Sequence, residues 1–326
     1  MSARESQQLI VGVDLGGTKV STVLARGNGE VLARGYRPTP VELGPQGVLA
    51  EIASTIRETL SSAGASTSDL LGIGIAAAGI IDSREGRVVV SPNLPDWHDV
   101  PLGGTIEDWF GVPVSVGNDA SLAALGEWYF GVNRQIANLV YVTVSTGIGG
   151  GIIADGKLYE GISGAAGEVG HMTIDVNGPK CRCGSSGCWE VMASGRALAE
   201  EAVRQIDGGA RSSIAELVGG DLDKVDAKIV FLASQQGDEL ARRLIARLAY
   251  YFGVGLGNLI NIFNPEIILV GGGVAKMGDA LLGPASEVAR EWAFKTPAEA
   301  VEIRRSFLGD DSGLLGAVVL VQQRGL

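Results

Sequence analysis

The sequence predicts an α/β protein of about two domains, and three observations carry that expectation. The chain has 326 residues, and at roughly 150 residues per domain that is about two. Apolar runs rich in β-branched residues end at glycine turns, and segments of helical period lie between them. The opening pattern of strand, turn, strand, turn, strand returns about 130 residues later. Apolar residues make up 46% and charged residues 19%, which supplies packed cores and excludes intrinsic disorder.

In chain order, residues 9–15 (LIVGVDL) read as a strand ending at Gly16-Gly17. Residues 20–25 and 30–37 continue it as an antiparallel meander around Gly27-Asn28-Gly29. Val48, Leu49, Ile52, Ile56 and Leu60 fall at helical spacing within 46–62. A buried strand over 70–80 runs into a glycine loop. A short helix over 102–110, a strand over 112–119 and a helix from Ala120 to Tyr129 follow. The meander pattern recurs over 138–161, where Ser145-Thr146-Gly147-Ile148-Gly149 echoes Asp14-Leu15-Gly16-Gly17-Thr18 in element order. Residues 195–250 are mainly helical, and the long helix Glu239–Phe263 stops before Pro265. A strand over 266–274 enters Gly271-Gly272-Gly273. A helix over 278–294, a strand over 301–307 and an apolar helix over 313–323 close the chain. No low-complexity linker interrupts it, so a tight domain junction is expected near residues 115–120.

Charge and cysteine content narrow the function. A net charge of −11 argues against a nucleic-acid platform but not against phosphate, which backbone N–H groups hold without net positive charge. The N-terminus MSARESQQ is polar, with no apolar segment of a signal peptide. Leu248 to Phe263 is too short for a span of ~20 residues and contains Asn258 and Asn261, so it reads as a buried helix. The three cysteines fall between Cys181 and Cys188, too close for a disulfide framework and suited to metal in a reducing compartment.

Four constellations carry chemistry. The turn Asp14-Leu15-Gly16-Gly17-Thr18-Lys19 is either an ordinary hairpin or a phosphate cradle, and two further glycine loops at strand ends favour the cradle. Asp119 follows a strand and opens a helix, where it serves as an N-cap or as a proton acceptor beside Asn118. His171, Cys181, Cys183 and Cys188 form a Cys₃His set, one of the closed tetrahedral zinc shells, against the alternative of buried thiols. Glu168 and Glu190 flank this cluster, either as surface acids or as carboxylates that a metal clip holds toward one ligand.

This ensemble resembles the ROK family of repressors, open reading frames and kinases, and most closely its bacterial glucokinases. The motifs are Asp14-Leu15-Gly16-Gly17-Thr18-Lys19, Gly117-Asn118-Asp119-Ala120 and Gly167-Glu168-Val169-Gly170-His171. Cys181-x-Cys183-Gly184-x-x-Gly187-Cys188-x-Glu190 and Asn264-Pro265-Glu266-x5-Gly271-Gly272-Gly273 complete it. The resemblance runs from about residue 9 to about residue 320. It implies an actin-like, ribonuclease-H-like duplicated α/β fold, two domains around a cleft that closes to exclude water. Residues 1–117, closed by the C-terminal helix near 313–326, would form the first domain; residues 118–312, with the zinc clip, would form the second.

The resemblance further implies ATP-dependent phosphorylation of a hexose, usually at the 6-hydroxyl of glucose, with Mg²⁺ and a structural Zn²⁺. Asp119 would be the general base and Asn118 a sugar contact. Glu168, His171 and Glu190 would bind sugar hydroxyls, with His171 also on zinc through its other nitrogen. Asn93 and Gly79 would line the sugar pocket. Gly16, Gly17, Thr18, Lys19, Thr146 and Gly147 would face the ATP phosphates, and Gly272 and Gly273 the adenosine side. Ala78 stands where the family often has proline before the glycine of the sugar loop.

Other outcomes stay open. The repressors of the family carry a helix-turn-helix ahead of this turn, whereas thirteen residues precede Asp14. A non-catalytic sugar sensor, a kinase for fructose, allose, N-acetylglucosamine or N-acetylmannosamine, and a polyphosphate-dependent glucokinase are the alternatives. A cytoplasmic homodimer or homotetramer is the expectation from the family.

Overall fold

The computed structural model describes residues 7–324; the polar lead of residues 1–6 and the last two residues, 325–326, of the expected C-terminal helix lie outside the described residues. The elements run β1 (Leu9–Leu15), β2 (Lys19–Arg26), β3 (Val31–Pro38), α1 (Gly44–Ser62), β4 (Leu70–Ala77), β5 (Ile80–Asp82), β6 (Arg87–Val90), β7 (His98–Val100) and α2 (Leu102–Phe110). Then come β8 (Val114–Asn118), α3 (Asp119–Gly126), β9 (Leu139–Val144), β10 (Ile148–Ala154), β11 (Lys157–Leu158), α4 (Trp189–Ala193), α5 (Gly195–Asp207), α6 (Ser213–Leu217) and α7 (Ala227–Gln235). The chain ends with α8 (Glu239–Phe263), β12 (Ile267–Gly271), α9 (Asp279–Trp292), α10 (Lys295–Ala300), β13 (Glu302–Arg305) and α11 (Ser312–Arg324). No helix among the described residues is long and apolar enough to cross a membrane.

Two five-stranded sheets have the orders β3-β2-β1-β4-β8 and β11-β10-β9-β12-β13. In the first, β1 pairs antiparallel with β2, β2 antiparallel with β3, and β4 lies parallel to both β1 and β8. In the second, β10 and β11 are antiparallel, while β12 is parallel to β9 and β13. Each order places a meander beside two parallel strands. This is the duplicated ribonuclease-H-like, actin-like fold.

The chain separates into two compact units. One runs to Ala137 and adds Gly151–Gly167 and the segment from Asp310; the other comprises Asn138–Gly150 and Glu168–Gly309. Residues 117–118, the expected division, fall inside the first unit, where α3 packs against α11. The parts of β10 before and after Gly150 belong to different units.

In the first unit, strand alternation decides the layers. Val11, Val13 and Leu15 point to a core shared with Ile52 and Ile56 of α1, while Ile10 and Val23 meet Leu314, Val318 and Val321 of α11. The central strands are therefore buried on both sides, and β1 and β4 read as continuous apolar runs, whereas the edge strand β3 alternates toward solvent. In the second unit, Val140, Val142, Ile268 and Val270 pack with α8, α9 and the Trp189 ring. Helix α8 ends at Asn264, which takes a left-handed C-cap conformation ahead of Pro265.

A small antiparallel sheet, β5-β6-β7, was not visible in the sequence. Its strands have three or four residues, too few for a periodic signal. It matters because it carries the segment Ser91–Asn93.

Candidate functional site

In the first unit, the turn after β1 is held by its own backbone and by Thr39. The Gly16 N–H donates to Lys19 O at 2.9 Å, the Thr39 hydroxyl to Gly16 O at 2.7 Å and the Thr39 N–H to Thr18 O at 3.1 Å. A Cβ on Gly17 would lie 2.6 Å from the carbonyl oxygen of Asn93, so glycine is required there by the loop after β6. The expected sugar-loop residue Asn93 and the expected phosphate-turn residue Gly17 are thus neighbours.

At the end of β8, Asn118 and not Asp119 caps α3. The Asn118 Oδ1 accepts from the Ser121 N–H at 3.0 Å, and its Nδ2 donates to Gly79 O at 3.1 Å. Both ends of the amide are fixed, which ties Asn118 to Gly79 and leaves one N–H and one lone pair for a ligand. Asp119 is the first residue inside the helix, and its Oδ1 accepts from the Ala120 N–H at 2.9 Å. Burial raises the Asp119 carboxyl above its ordinary range, against the hydrogen bonds from Ala120 and its own N–H. Asp14, at the end of β1, had no separate role in the sequence reading. Burial and the negative charges of Asp119 and Asp310 push its carboxyl up to about 6 from 3.8, with Lys19 pulling the other way. The signal was an acid inside an apolar strand, LIVGVDL.

In the second unit, the turn between β9 and β10 is held by side chain and helix. The Glu190 Oε2 accepts from the Ile148 N–H at 2.9 Å, and a Cβ on Gly147 would collide with that carboxylate. Gly147 is glycine because Glu190 occupies the space beside it. The Gly195 N–H donates to Ser145 O at 2.7 Å, which fixes the start of α5 against the same turn.

The metal set assembles as expected. One ligand atom from each of His171, Cys181, Cys183 and Cys188 lies within 4.8 Å of all the others. The Cys183 and Cys188 sulfurs are 3.6 Å apart, and the Cys181 sulfur is 3.7 Å from His171 Nδ1. Tetrahedral zinc with bonds of about 2.0–2.3 Å needs ligand atoms roughly 3.5–3.8 Å apart, so the donor set and spacing fit zinc. With Nδ1 at the thiols, His171 Nε2 points elsewhere and lies 3.9 Å from Glu168 Oε2. The expected sugar contacts Glu168 and His171 are thereby brought together.

The second unit also contains a cavity of about 980 Å³. Thr146 and Gly273, both expected at the nucleotide, line it; Gly147 and Gly272 do not. Its apolar wall comes from Val225, Phe231, Val274 and Met277, and Arg196 and Lys276 supply cations. This volume and mixed lining suit a nucleoside. Sequence reading missed these wall residues because Val225, Val274 and Met277 are buried like core residues and Phe231 has the helical spacing of α7.

The ROK family model matches residues 10–324. The chain belongs to the ROK family. It is 38% identical over 323 residues to a glucokinase of Halalkalibacterium halodurans, covering 98% of this chain and 96% of that one. It is 36% identical over 316 residues to a putative xylose repressor of Caldicellulosiruptor sp., covering 96% of this chain and 78% of that one. Among solved structures, a ROK family glucokinase from Streptomyces griseus in complex with glucose and AMPPNP superposes with a TM-score of 0.85 at 35% identity, covering 97% of this chain and 99% of that chain. In this ROK chain, Gly16, Gly17, Thr18, Lys19, Gly79, Asn93, Asn118 and Asp119 belong to the first unit. Thr146, Gly147, Glu168, His171, Glu190, Gly272 and Gly273 belong to the second.

Proposed function

We propose that this protein transfers the terminal phosphoryl group of ATP to the 6-hydroxyl of glucose. The observation that carries the reading is Asp119. It stands at a strand end, it is not consumed as a helix cap, and no cation pairs with it among the described residues. Asn118, locked on Gly79, lies beside it. The similarity to glucokinases over nearly the full length of both chains supports the same reading.

In this reading, Asp119 takes the proton from the hydroxyl as it attacks phosphorus. Gly79, Asn93, Asn118, Glu168, His171 Nε2 and Glu190 hold the sugar hydroxyls. Gly16, Gly17, Thr18, Lys19, Thr146 and Gly147 face the phosphates, and Gly272 and Gly273 the adenosine, whose base fits the cavity walled by Phe231 and Met277. Mg²⁺ would supply charge neutralisation at the phosphates. Asp14, whose carboxyl is already crowded by Asp119, is the acid suited to hold it. His171, Cys181, Cys183 and Cys188 would hold zinc, which would supply rigidity alone, since four protein ligands make a closed structural site. Cysteines that form no disulfide fit a cytoplasmic location, and we propose a homodimer or homotetramer, to be checked by light scattering.

The deciding experiment measures initial rates with glucose, fructose, allose, N-acetylglucosamine and N-acetylmannosamine, each with Mg²⁺ and either ATP or polyphosphate. Glucose with ATP should have the highest kcat/KM. A higher value for another hexose would reassign the substrate. The similarity to a putative xylose repressor favours a second reading, a sugar sensor without chemistry. Saturable glucose binding with no ADP release would establish that reading instead.

A further inference from the structure

We propose that Trp189 is a positioning residue that sets the Glu190 carboxylate, and through it the turn Ser145–Ile148, from the core of the second unit. This rests on the reading of Glu190 as a sugar contact and deepens it. Position 189 is the unassigned residue of Cys188-x-Glu190, so it sits between a metal ligand and that carboxylate. Its side chain is 0% exposed. The indole stacks on Phe252 with centroids 5.2 Å apart and planes at 22°, and its Nε1–H donates to Tyr251 O at 3.0 Å. Both partners lie on α8. A Cβ on Gly255, one turn along α8, would overlap the indole, so that glycine keeps the seat open.

The Trp189 backbone N–H donates to Met172 O at 2.7 Å, beside His171. One residue later the Glu190 side chain holds the Ile148 N–H, and the Ser194 N–H donates to Glu190 O at 3.0 Å. The Gly195 N–H then returns to Ser145 O. Helix α4 has five residues. A helix that short has no stability of its own, so its orientation must come from tertiary anchors. Its largest is the indole. A shift of about 1 Å there carries the carboxylate out of hydrogen-bonding range, a scale of misplacement that costs enzymes about 10²-fold.

The test compares wild type, Gly255→Ala and Trp189→Phe as full-length, zinc-loaded protein, with Glu190→Ala as the reference for a lost carboxylate. Two quantities are read: the exchange rate of the Ile148 amide, and KM for glucose against KM for ATP. Gly255→Ala should speed Ile148 exchange by about 10-fold and raise glucose KM by about 10-fold, with a smaller rise in ATP KM because the same turn carries Thr146 and Gly147, and with zinc content unchanged. Trp189→Phe, which keeps the stack but loses the Tyr251 bond, should shift both in the same direction by less. If Gly255→Ala fails to fold, Trp189→Phe carries the test alone. Wild-type Ile148 exchange in a folded variant, or equal rises in both KM values, overturns the proposal. A wild-type protein that phosphorylates no hexose defeats the functional reading instead, and the Ile148 amide still decides whether Trp189 positions Glu190.

Discussion

The turns after β1 and β9 follow strands in equivalent places of two sheets with the same order, yet they are braced by different means. After β1 the support is neutral: the Thr39 hydroxyl on Gly16, the Thr39 N–H on Thr18, and the Asn93 carbonyl against Gly17. After β9 the support is a carboxylate and a helix start: Glu190 on Ile148, and Gly195 on Ser145. The first turn also has ionisable groups of its own, Asp14 and Lys19, whereas Ser145-Thr146-Gly147-Ile148 has none. Duplicated topology therefore preserves where the backbone turns, while the chemistry around each turn diverges. That is why the two motifs share glycine placement and little else.

The largest effect expected from breaking this asymmetry is at Asp119, which belongs to the first unit. Asp119→Asn should lower kcat by roughly 10²–10⁴, with glucose affinity nearly unchanged and no loss of melting temperature, because Asn118 provides the cap. The raised Asp119 pKa sets the direction of the pH profile. The base works only when ionised, so kcat/KM should fall with decreasing pH at values above the ordinary carboxylate range. A profile flat down to pH 4 would remove Asp119 from the chemistry.

On the second unit, Cys183→Ser should remove one of four ligands and weaken metal binding by at least about 10–100-fold. Elemental analysis should then find less than one zinc per chain, and glucose KM should rise more than ATP KM, because Glu168 and Glu190 flank the clip. Zinc-free wild type with unaltered glucose KM would sever the clip from the sugar site.

A third comparison uses one substitution in each turn. Gly17→Ala meets a backbone carbonyl that has no rotamer to retreat into, so it should cost about 1–3 kcal/mol of stability in denaturant unfolding. Gly147→Ala meets the end of the Glu190 side chain, which can swing away. It should cost less stability but raise glucose KM. The reverse ranking would mean that the two turns are braced alike.

The last effect, on stability and its pH dependence, concerns Asp14. Its carboxyl is raised to about 6, so the folded protein holds this proton more tightly than the unfolded chain. That contribution to stability is fully present below the unfolded value near 3.8 and is lost as pH rises through about 6. Asp14→Asn should therefore stabilise the protein at pH 8 by on the order of 2 kcal/mol and change little at pH 4, by unfolding measured at both. Equal shifts at both pH values would show that the carboxyl is not strained.

Much of this was legible from local pattern. The β-branched runs, the helical spacing from Val48 to Leu60 and the stop before Pro265 place β1, α1 and α8 correctly. Three cysteines within eight residues and a histidine nearby read as one candidate ligand set, and the fold brings those four side chains together, because ligand chemistry depends on residue type and short spacing. The sheet β5-β6-β7 escaped because strands of three or four residues have no readable period.

By itself, the sequence determined which backbone segments alternate, where they turn, and which side chains can ionise or ligate. Those properties belong to single residues and their near neighbours. Only the tertiary structure decided that Asn118 caps while Asp119 does not, that Gly17 yields to Asn93 and Gly147 to Glu190, and that Asp14 is crowded by Asp119. Each of these depends on hydrogen-bond geometry, close packing or the field between charges. All three act over a few ångströms in space, whatever the separation along the chain.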